Sequence, residues 1–246
     1  MKNKLIVIEG TDGCGKKTQT KLLNEKLVAM GVDSIIQSFP NYDSPACAPV
    51  KMYLNGDFGD VSCFDAYQAN SLYAVDRLCT MQKHKEHIKN GGSIVFDRYV
   101  ESTMLHQAAL IDDLNERDKF LDYVNDFEFG ILKLPKPDLV IFLDVPVEVS
   151  KKLADARGEF KSGNKKDILE SDVQHLNKAY NAGKYVANKY GWVIIDCVKD
   201  GQLLSVEEIN DLIMKEIMKK ENKWLFFFSK YLTIYSKIDY NYNSLI

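Results

Sequence analysis

The sequence has no apolar run approaching the ~20 residues that a membrane-spanning helix requires, so a helical membrane span is excluded. It has only five cysteines, an odd number without CxxC or other metal-ligand spacing, which argues against a disulfide scaffold and a cysteine metal site. This cysteine usage favours a reducing compartment, and we expect a cytoplasmic protein. The four histidines show no metal-ligand spacing either.

Charge of one sign is also lacking. The chain carries 32 Lys and Arg against 35 Asp and Glu, and its pI near 5.9 argues against a nucleic-acid-binding surface. The first predicted strand begins a few residues after Met1, so we expect no signal peptide. With 246 residues and 46% hydrophobic content, the chain is long enough for one full α/β domain.

The most informative stretch is Gly-Thr-Asp-Gly-Cys-Gly-Lys-Lys-Thr at positions 10–18. It follows an apolar run that predicts a buried strand and precedes a helical pattern with Leu22, Leu23, Leu27 and Met30 on one face. Strand, glycine loop and helix in this order are the context of a phosphate-binding loop. Lys16 can reach the β- and γ-phosphates of a nucleotide. The predicted ATP-binding residues are Gly10, Asp12, Gly13, Cys14, Gly15, Lys16, Lys17 and Thr18.

Lys17 departs from this pattern, which has Ser or Thr directly after the lysine to hold Mg²⁺. Thr18 stands one position later. Either Thr18 serves a metal held mainly through water and phosphate oxygens, or the metal site is weak. A glycine-rich turn without any ligand is a third interpretation, and the order of strand, glycines, lysine and helix argues against it.

Further apolar runs alternate with helical patterns, which predicts one parallel sheet with helices on both faces, an α/β fold. The other predicted strands are 34–38, 93–96, 139–143 and 192–196. The predicted helices are 64–90, 101–110, 116–129, one ending at Arg157, one ending near Tyr190 and one beginning at Val206. In the helix 64–90 we expect Leu72, Val75 and Cys79 to form the buried stripe.

Residues that follow predicted strands should share the edge of the sheet where ligands bind. They are Gly10, Phe39, Asp97 and Asp144. Asp97 can orient water on Mg²⁺ and Arg98 can bind a phosphate through its planar fork. A simple salt bridge at the strand end is the alternative, and the nearby glycine loop favours the functional interpretation.

Two further groups of residues have competing interpretations. Tyr73 and Arg77 are four apart on one helix face, where they could stack on a base and hydrogen-bond its edge. From periodicity alone, a cation–π pair on a solvated face is favoured. Four cations in the polar stretch after the helix ending at Arg157 suit a lid over a polyphosphate, although a solvated basic loop is common. They are Arg157, Lys161, Lys165 and Lys166.

Taken together, these motifs resemble the thymidylate kinase family over about residues 4–220. The matching segments include the glycine loop, Phe39–Tyr42, Leu72–Arg77, Asp97–Tyr99 and Leu134–Leu139, in the family's order and spacing. The resemblance implies the three-layer P-loop nucleoside monophosphate kinase fold with a five-stranded parallel sheet. It also implies transfer of the ATP γ-phosphoryl group to dTMP with Mg²⁺, in the synthesis of dTTP, by a homodimer formed through helices.

The resemblance also assigns roles. Asp12 would meet the deoxyribose 3′-OH, Tyr73 would stack on thymine, Arg77 would bond the thymine edge and Arg98 would hold the dTMP phosphate. The implied dTMP-binding residues are Asp12, Phe39, Pro40, Tyr42, Tyr73, Arg77, Arg98, Ser102, Thr103, His106, Gln107 and Tyr180. The implied catalytic residues are Lys16, Asp97, Arg98 and Arg157, and the metal would be held by Thr18 and Asp97.

The chain departs from the family at several positions. His106 replaces an aromatic residue near the sugar 2′ position, which bears on discrimination against ribose. Gly13 stands where one subgroup carries a catalytic arginine, so the cations are expected from the lid, about 157–170. Residues 221–246 lie outside the resemblance and could cover the domain, a partner subunit or a membrane surface. Because Lys16 and a helix N-terminus lie near, we hypothesise a lowered pKa and redox sensitivity for Cys14; a small residue that merely fits is the alternative.

Overall fold

The computed structural model describes residues 3–59, 63–156 and 173–221. The predicted lid residues Arg157, Lys161, Lys165 and Lys166 lie outside these ranges, and so does nearly all of the C-terminal extension. None of the helices in the described ranges combines the length and apolar character needed to cross a lipid bilayer.

Five parallel strands form the central sheet in the order β2-β3-β1-β4-β5. They are β1 Leu5–Glu9, β2 Ser34–Ser38, β3 Ser93–Asp97, β4 Leu139–Asp144 and β5 Val193–Asp196. The chain leaves β1 for one side of the sheet and later crosses to the other, which makes the carboxyl end of β1 the switch point where ligands bind. In register, Ile8 pairs with Asp97 and Glu9 pairs with Phe142, so three strands end beside the glycine loop.

Eight helices in the described ranges surround the sheet. They are α1 Lys16–Ala29, α2 Ala48–Leu54, α3 Ala66–Lys89, α4 Val100–His106, α5 Leu114–Val124, α6 Val147–Ala156, α7 Val173–Tyr190 and α8, residues 206–221. The predicted helix 101–110 divides into α4 and a 3₁₀ turn, Ala108–Leu110. The predicted helix 116–129 divides into α5 and a π-helical turn, Asn125–Ile131. A short hairpin, β6 Val198–Lys199 and β7 Gln202–Leu203, follows β5.

Alternate residues of the strands pack into two hydrophobic cores, one on each face of the sheet, which gives the three-layer architecture. Ile8 and Ile141 pack in the same core as Leu23 of α1 and Ile213 of α8. On the opposite face of the sheet, Val7, Phe96 and Val140 share a core with Phe120 of α5. This arrangement confirms the predicted α/β fold with a five-stranded parallel sheet.

The predicted buried faces of α1 and α3 were partly wrong. Leu23 and Leu27 of α1 are buried, but Met30 is 56% exposed. In α3, Val75 is 48% exposed and Cys79 is also exposed, whereas polar residues of the same helix are buried. The periodicity argument assumes that apolar side chains face inward. On α3, part of the inward face instead lines a cavity, where the polar side chains of Asp76 and Arg77 replace apolar ones.

Candidate active site

The glycine loop between β1 and α1 has the backbone conformation that only glycine adopts without strain. Gly10, Gly13 and Gly15 have φ angles of 149°, 79° and 95°. At Gly10 the chain passes so close to its neighbours that a Cβ would lie 2.7 Å from Cys14 Sγ and 3.0 Å from the Leu143 carbonyl oxygen. The loop therefore depends on its glycines both for its turns and for its fit against β4.

Lys16 is buried inside this loop. Its Nζ donates to the carbonyl oxygens of Gly10 at 2.9 Å and Thr11 at 2.8 Å, and lies 3.8 Å from Asp12 Oδ1. Lys16 also begins α1, whose first turn has no side-chain cap and no acidic residue. The uncapped N–H groups and the lysine charge make this end of α1 suited to an anion. Lys17 is exposed on the same turn.

An open cleft lies beside the loop. Its walls come from the end of β2, from α2 and α3, and from the segment that follows β3. The lining residues are Phe39, Pro40, Tyr42, Leu54, Tyr73, Asp76, Arg77, Arg98, Tyr99, Ser102, Thr103, His106 and Gln107. All the residues that the resemblance assigns to the acceptor nucleotide are in this set, except Asp12 and Tyr180.

Arg98 connects the cleft to the glycine loop. Its backbone has a φ of 67°, which is uncommon for a residue other than glycine. Its Nη1 donates to Ser102 Oγ at 2.9 Å and to His106 Nε2 at 2.8 Å, and its Nη2 forms an ion pair with Asp12. Because Nε2 of His106 accepts a hydrogen bond, that nitrogen carries no proton in this arrangement.

Charge and burial oppose each other around Arg98. Burial would raise the pKa of Asp12, but the Arg98 and Lys16 cations outweigh it and hold that pKa well below its usual range. Glu9 is fully buried at the end of β1, and one of its oxygens accepts the Tyr99 backbone N–H at 3.1 Å. Burial raises the pKa of Glu9 to about 7 despite the nearby Arg98 and Lys16.

Arg77 and Tyr73 lie on the cavity side of α3. Arg77 is only 2% exposed, so the interpretation of a solvated cation–π pair was wrong for this residue. Its guanidinium forms a bidentate ion pair with the buried Glu128 of the π-helical turn. Tyr73 contacts Tyr53 edge to face, with 6.4 Å between ring centroids.

The loop after β2 is fastened to α3 by Asp76. Its Oδ2 accepts the Asn41 backbone N–H at 2.7 Å, and the Asn41 side chain donates to Thr80 Oγ1 at 3.1 Å. The Phe39–Pro40 peptide bond in this loop is cis. Asp76 was missed by the sequence prediction, although its position directly before Arg77 was a usable signal.

Comparison with known proteins agrees with this geometry. A family model described as thymidylate kinase matches residues 8–209 of the chain. The chain belongs to the thymidylate kinase family.

Relatives are found in distant organisms. The thymidylate kinase of Mycobacterium tuberculosis is 30% identical over 171 residues, which cover 69% of this chain and 79% of the relative. A probable thymidylate kinase of Methanococcus maripaludis is 30% identical over 227 residues, covering 89% and 96%. The solved thymidylate kinase of Candida albicans, 23% identical, superposes with a TM-score of 0.64 over 90% of this chain and 93% of that one.

Tyr180 lies apart from the acceptor cleft of this family member. Its hydroxyl donates to Asp144 Oδ1 at 2.5 Å, and Lys184 Nζ donates to Asp144 Oδ2 at 2.7 Å. Both side chains are on α7, so the cluster joins α7 to the end of β4. Tyr180 therefore contacts the carboxyl end of β4 in this structure, while Asp12, in the glycine loop, is joined to the cleft through its ion pair with Arg98.

Cys14 does not have the lowered pKa that we hypothesised. It is 4% exposed, and burial raises the pKa of its thiol even though Lys16 Nζ lies 4.0 Å from Sγ. The proximity argument was wrong because it left out the cost of burying a thiolate.

The predicted metal residues are far less enclosed than Cys14. Thr18 is exposed on α1, and Asp97 is half-buried at the end of β3. Among residues 3–59, 63–156 and 173–221, no three or more carboxylate, histidine or cysteine side chains form a group that could hold a metal ion. Any metal here would take most of its ligands from elsewhere.

Proposed function

We propose that this protein transfers the γ-phosphoryl group of ATP to dTMP, forming dTDP on the route to dTTP. The observation that carries the proposal is the cleft itself. Tyr73 and Arg77 line it, where they would meet a base, and Arg98, which lines it as well, forms an ion pair with Asp12 of the glycine loop. One nucleotide phosphate can be bound at each side of Arg98, which is the arrangement that phosphoryl transfer requires.

Catalysis would consist of positioning and charge stabilisation, without a covalent intermediate. The loop N–H groups and Lys16 would hold the ATP phosphates. Arg98, braced by Asp12 and Ser102, would hold the phosphate of dTMP. The lid cations Arg157, Lys161, Lys165 and Lys166 are proposed to neutralise charge on the transferring group.

Mg²⁺ is the proposed cofactor, and the donor set fits it in a limited way. Mg²⁺ commonly uses one or two carboxylates, together with waters and substrate phosphates. Asp97, at the end of β3 next to the glycine loop, and Thr18 are the side chains proposed to approach it. The ion would supply charge neutralisation on the β- and γ-phosphates.

A homodimer in the cytoplasm is proposed as well. Val75 and Cys79 lie four residues apart on α3 and are exposed, so this face of a long helix is available to a second copy. Light scattering coupled to gel filtration tests the dimer.

All five cysteines are free thiols, which supports a reducing compartment.

The deciding experiment measures ADP release from ATP and Mg²⁺ with each of dTMP, dUMP, dGMP, dAMP, dCMP and UMP. We expect the highest kcat/KM with dTMP and dTDP as the product. Preference for another acceptor would agree with a nucleoside monophosphate kinase but contradict the predicted base specificity. His106 would then be the first residue to substitute. Equal ATP turnover with and without any monophosphate would indicate a P-loop regulatory protein instead.

Arg98→Ala gives an internal check. Removing a charged hydrogen-bond donor to phosphate should lower kcat/KM for dTMP by about 100-fold or more while the KM for ATP stays the same. Arg117→Ala is the matched control, since Arg117 donates to the Ile111 carbonyl oxygen away from the cleft. An Arg98→Ala variant with wild-type kcat/KM for dTMP would contradict the assignment.

A further inference from the structure

Glu128 has a fully buried carboxylate and is not among the predicted site residues. It lies in the π-helical turn Asn125–Ile131, which follows α5. Its Oε2 accepts from Arg77 Nε at 2.6 Å and its Oε1 accepts from Arg77 Nη2 at 2.5 Å. One edge of the guanidinium, Nε and Nη2, is therefore held by a single side chain.

The five N–H groups of Arg77 can be accounted for one by one. Nη2 also donates to Asn70 Oδ1 at 3.1 Å and to Thr103 Oγ1 at 3.0 Å, so its two N–H groups are shared among three acceptors. Nη1 has one contact, to the Tyr99 carbonyl oxygen, at the long distance of 3.4 Å. Within the described part of the chain, the second N–H of Nη1 has no protein acceptor.

Glu128 sets the direction of this remaining donor. A guanidinium is planar, so a carboxylate on the Nε–Nη2 edge places Nη1 on the side away from Glu128. Arg77 lines the acceptor cleft. The same ion pair cancels the arginine charge, so an uncharged base can bind there without facing an unpaired buried cation.

We propose that Glu128 is a positioning residue that fixes Arg77 so that one Nη1 N–H is presented to a carbonyl oxygen on the acceptor base. This inference rests on the proposed function. A carbonyl at that place, such as O4 of thymine or uracil, accepts the hydrogen bond. The amino group of cytosine is a donor there and leaves the N–H without a partner.

The π-helical turn explains why Glu128 can hold this position. The Leu132 N–H bonds the Phe127 carbonyl oxygen at 2.8 Å, and the Leu134 N–H bonds the carbonyl oxygen of Glu128 itself at 3.0 Å. The Phe127 ring stacks on Tyr123 with 5.4 Å between centroids. The backbone beneath Glu128 is thus fixed on both sides, and π-helical turns are frequent at functional sites.

The test is Glu128→Gln, which keeps the side-chain volume and replaces one acceptor oxygen by a donor. We expect the KM for dTMP to rise about tenfold or more, with kcat changed by less than about threefold and the KM for ATP unchanged. The preference for dTMP over dCMP, as a ratio of kcat/KM, should fall about tenfold. Glu101→Gln is the matched control, because Glu101 is a buried glutamate of α4 and takes no part in the Arg77 fork.

A purely structural role predicts a different result, namely a lower Tm with unchanged KM for dTMP and an unchanged dTMP to dCMP ratio in the folded fraction. That result would overturn the proposal. Glu128→Asp is the second variant, since it keeps the charge but shortens the reach. We expect it to raise the KM for dTMP as well, and an unchanged KM would count against the positioning role.

The wild-type protein provides a measurement that does not depend on any variant folding. In protein labelled with ¹⁵N-arginine, the restricted Arg77 guanidinium should give separate Nη signals. Binding of the preferred monophosphate should shift Nη1 and leave Nε in place. A freely rotating Arg77 would overturn the proposal. If dTMP itself is not phosphorylated, the proposed function fails while the same titration with the accepted monophosphate still tests Glu128.

Discussion

Ionisable side chains around the cleft differ in how far neighbouring charge offsets their burial. Asp12 has two cations within reach and stays ionised. Glu101, on α4, is 3% exposed, and its Oε2 has no hydrogen-bond partner among the described residues. Burial, reinforced by the nearby Glu9 and Glu128 carboxylates, raises the pKa of Glu101 to about 8. The same burial therefore gives a carboxylate at one position and a neutral acid at the other.

Glu101 should make the stability of the fold depend on pH. The folded protein keeps this proton up to about pH 8, whereas the unfolded chain loses it near pH 4.5. Between these values the folded state binds more protons, so the free energy of unfolding falls as pH rises, by up to about 1.4 kcal/mol per pH unit. Glu101→Gln removes the titrating group and with it this pH-dependent loss of stability. We therefore expect the Tm of the variant minus the Tm of the wild type to increase from pH 5 to pH 8.5.

Calorimetry at the two pH values measures this difference. Glu148→Gln, at an exposed position of α6, is the control and should show no such growth. A Tm difference for Glu101→Gln that is the same at pH 5 and pH 8.5 would show that Glu101 does not titrate in this window.

Cys14 should be chemically inert in the folded protein. Only the thiolate reacts with iodoacetamide, and burial both raises the pKa of Cys14 and limits access to it. We expect Cys14 to be labelled at pH 7.5 at least about tenfold more slowly than the exposed Cys63 and Cys79. Mass spectrometry of the peptides over time gives the rates, and urea-unfolded protein is the control. Equal labelling of Cys14 and Cys79 would restore the redox hypothesis.

At the scale of elements, α7 is fixed by close contact with β4 and α4. A Cβ added at Gly183 would lie 2.7 Å from Phe142 Cε2 and 2.8 Å from Leu105 Cδ1. Both of these side chains are fully buried. The same helix carries Tyr180 and Lys184, which bind Asp144 at the end of β4. A glycine inside the helix therefore permits α7 to approach the sheet closely.

Gly183→Ala should destabilise the protein although alanine favours helix by about 1 kcal/mol over glycine. Overpacking against two buried side chains costs about 1–3 kcal/mol, which exceeds that gain. Urea unfolding measures the change in the free energy of unfolding. Asn181→Ala, on the exposed side of α7, is the matched control and should be neutral or slightly stabilising. A more stable Gly183→Ala protein would mean that α7 can move away from β4.

On the scale of the whole molecule, the sheet order gathers the site from distant parts of the chain. Because β1 lies between β3 and β4, the glycine loop and Arg98 follow neighbouring strands, and Asp144 is the last residue of the third. Helices α2 and α3, with the loop after β2, enclose the acceptor cleft from one side. Apart from the first residues of β1, all of these elements lie within the family match, residues 8–209.

A chain ending after Glu221 should therefore remain an active kinase. In the part of the chain that the structure describes, the residues of the sheet, the glycine loop and the acceptor cleft all precede residue 222. We expect kcat/KM for dTMP to change by less than about threefold, since the family match ends at residue 209 and chain termini often tolerate truncation. Steady-state kinetics measure it, with Arg98→Ala in the shortened chain as the inactive control. A large loss of activity would assign the extension a role in the site.

Local features of the chain predicted much of this protein. The strand boundaries 34–38 agree with β2, and the glycine loop lies where strand, glycines and lysine place it. These predictions depend only on neighbouring residues, because backbone conformation and side-chain periodicity are set over a few positions. The predicted buried face of α3 was wrong because the burial of a helix face depends on the elements that pack against it. The sequence of the helix alone does not specify those elements.

The sequence by itself determined the order of the elements, the phosphate-binding loop and the resemblance to a kinase family. Only the tertiary structure decided which side chains are partners. Arg77 pairs with Glu128 across 51 positions, Tyr180 binds Asp144 across 36, and Cys14 is buried rather than activated. Such pairings depend on how the elements pack, because burial and distance, which fix charge and hydrogen bonding, arise when remote segments meet.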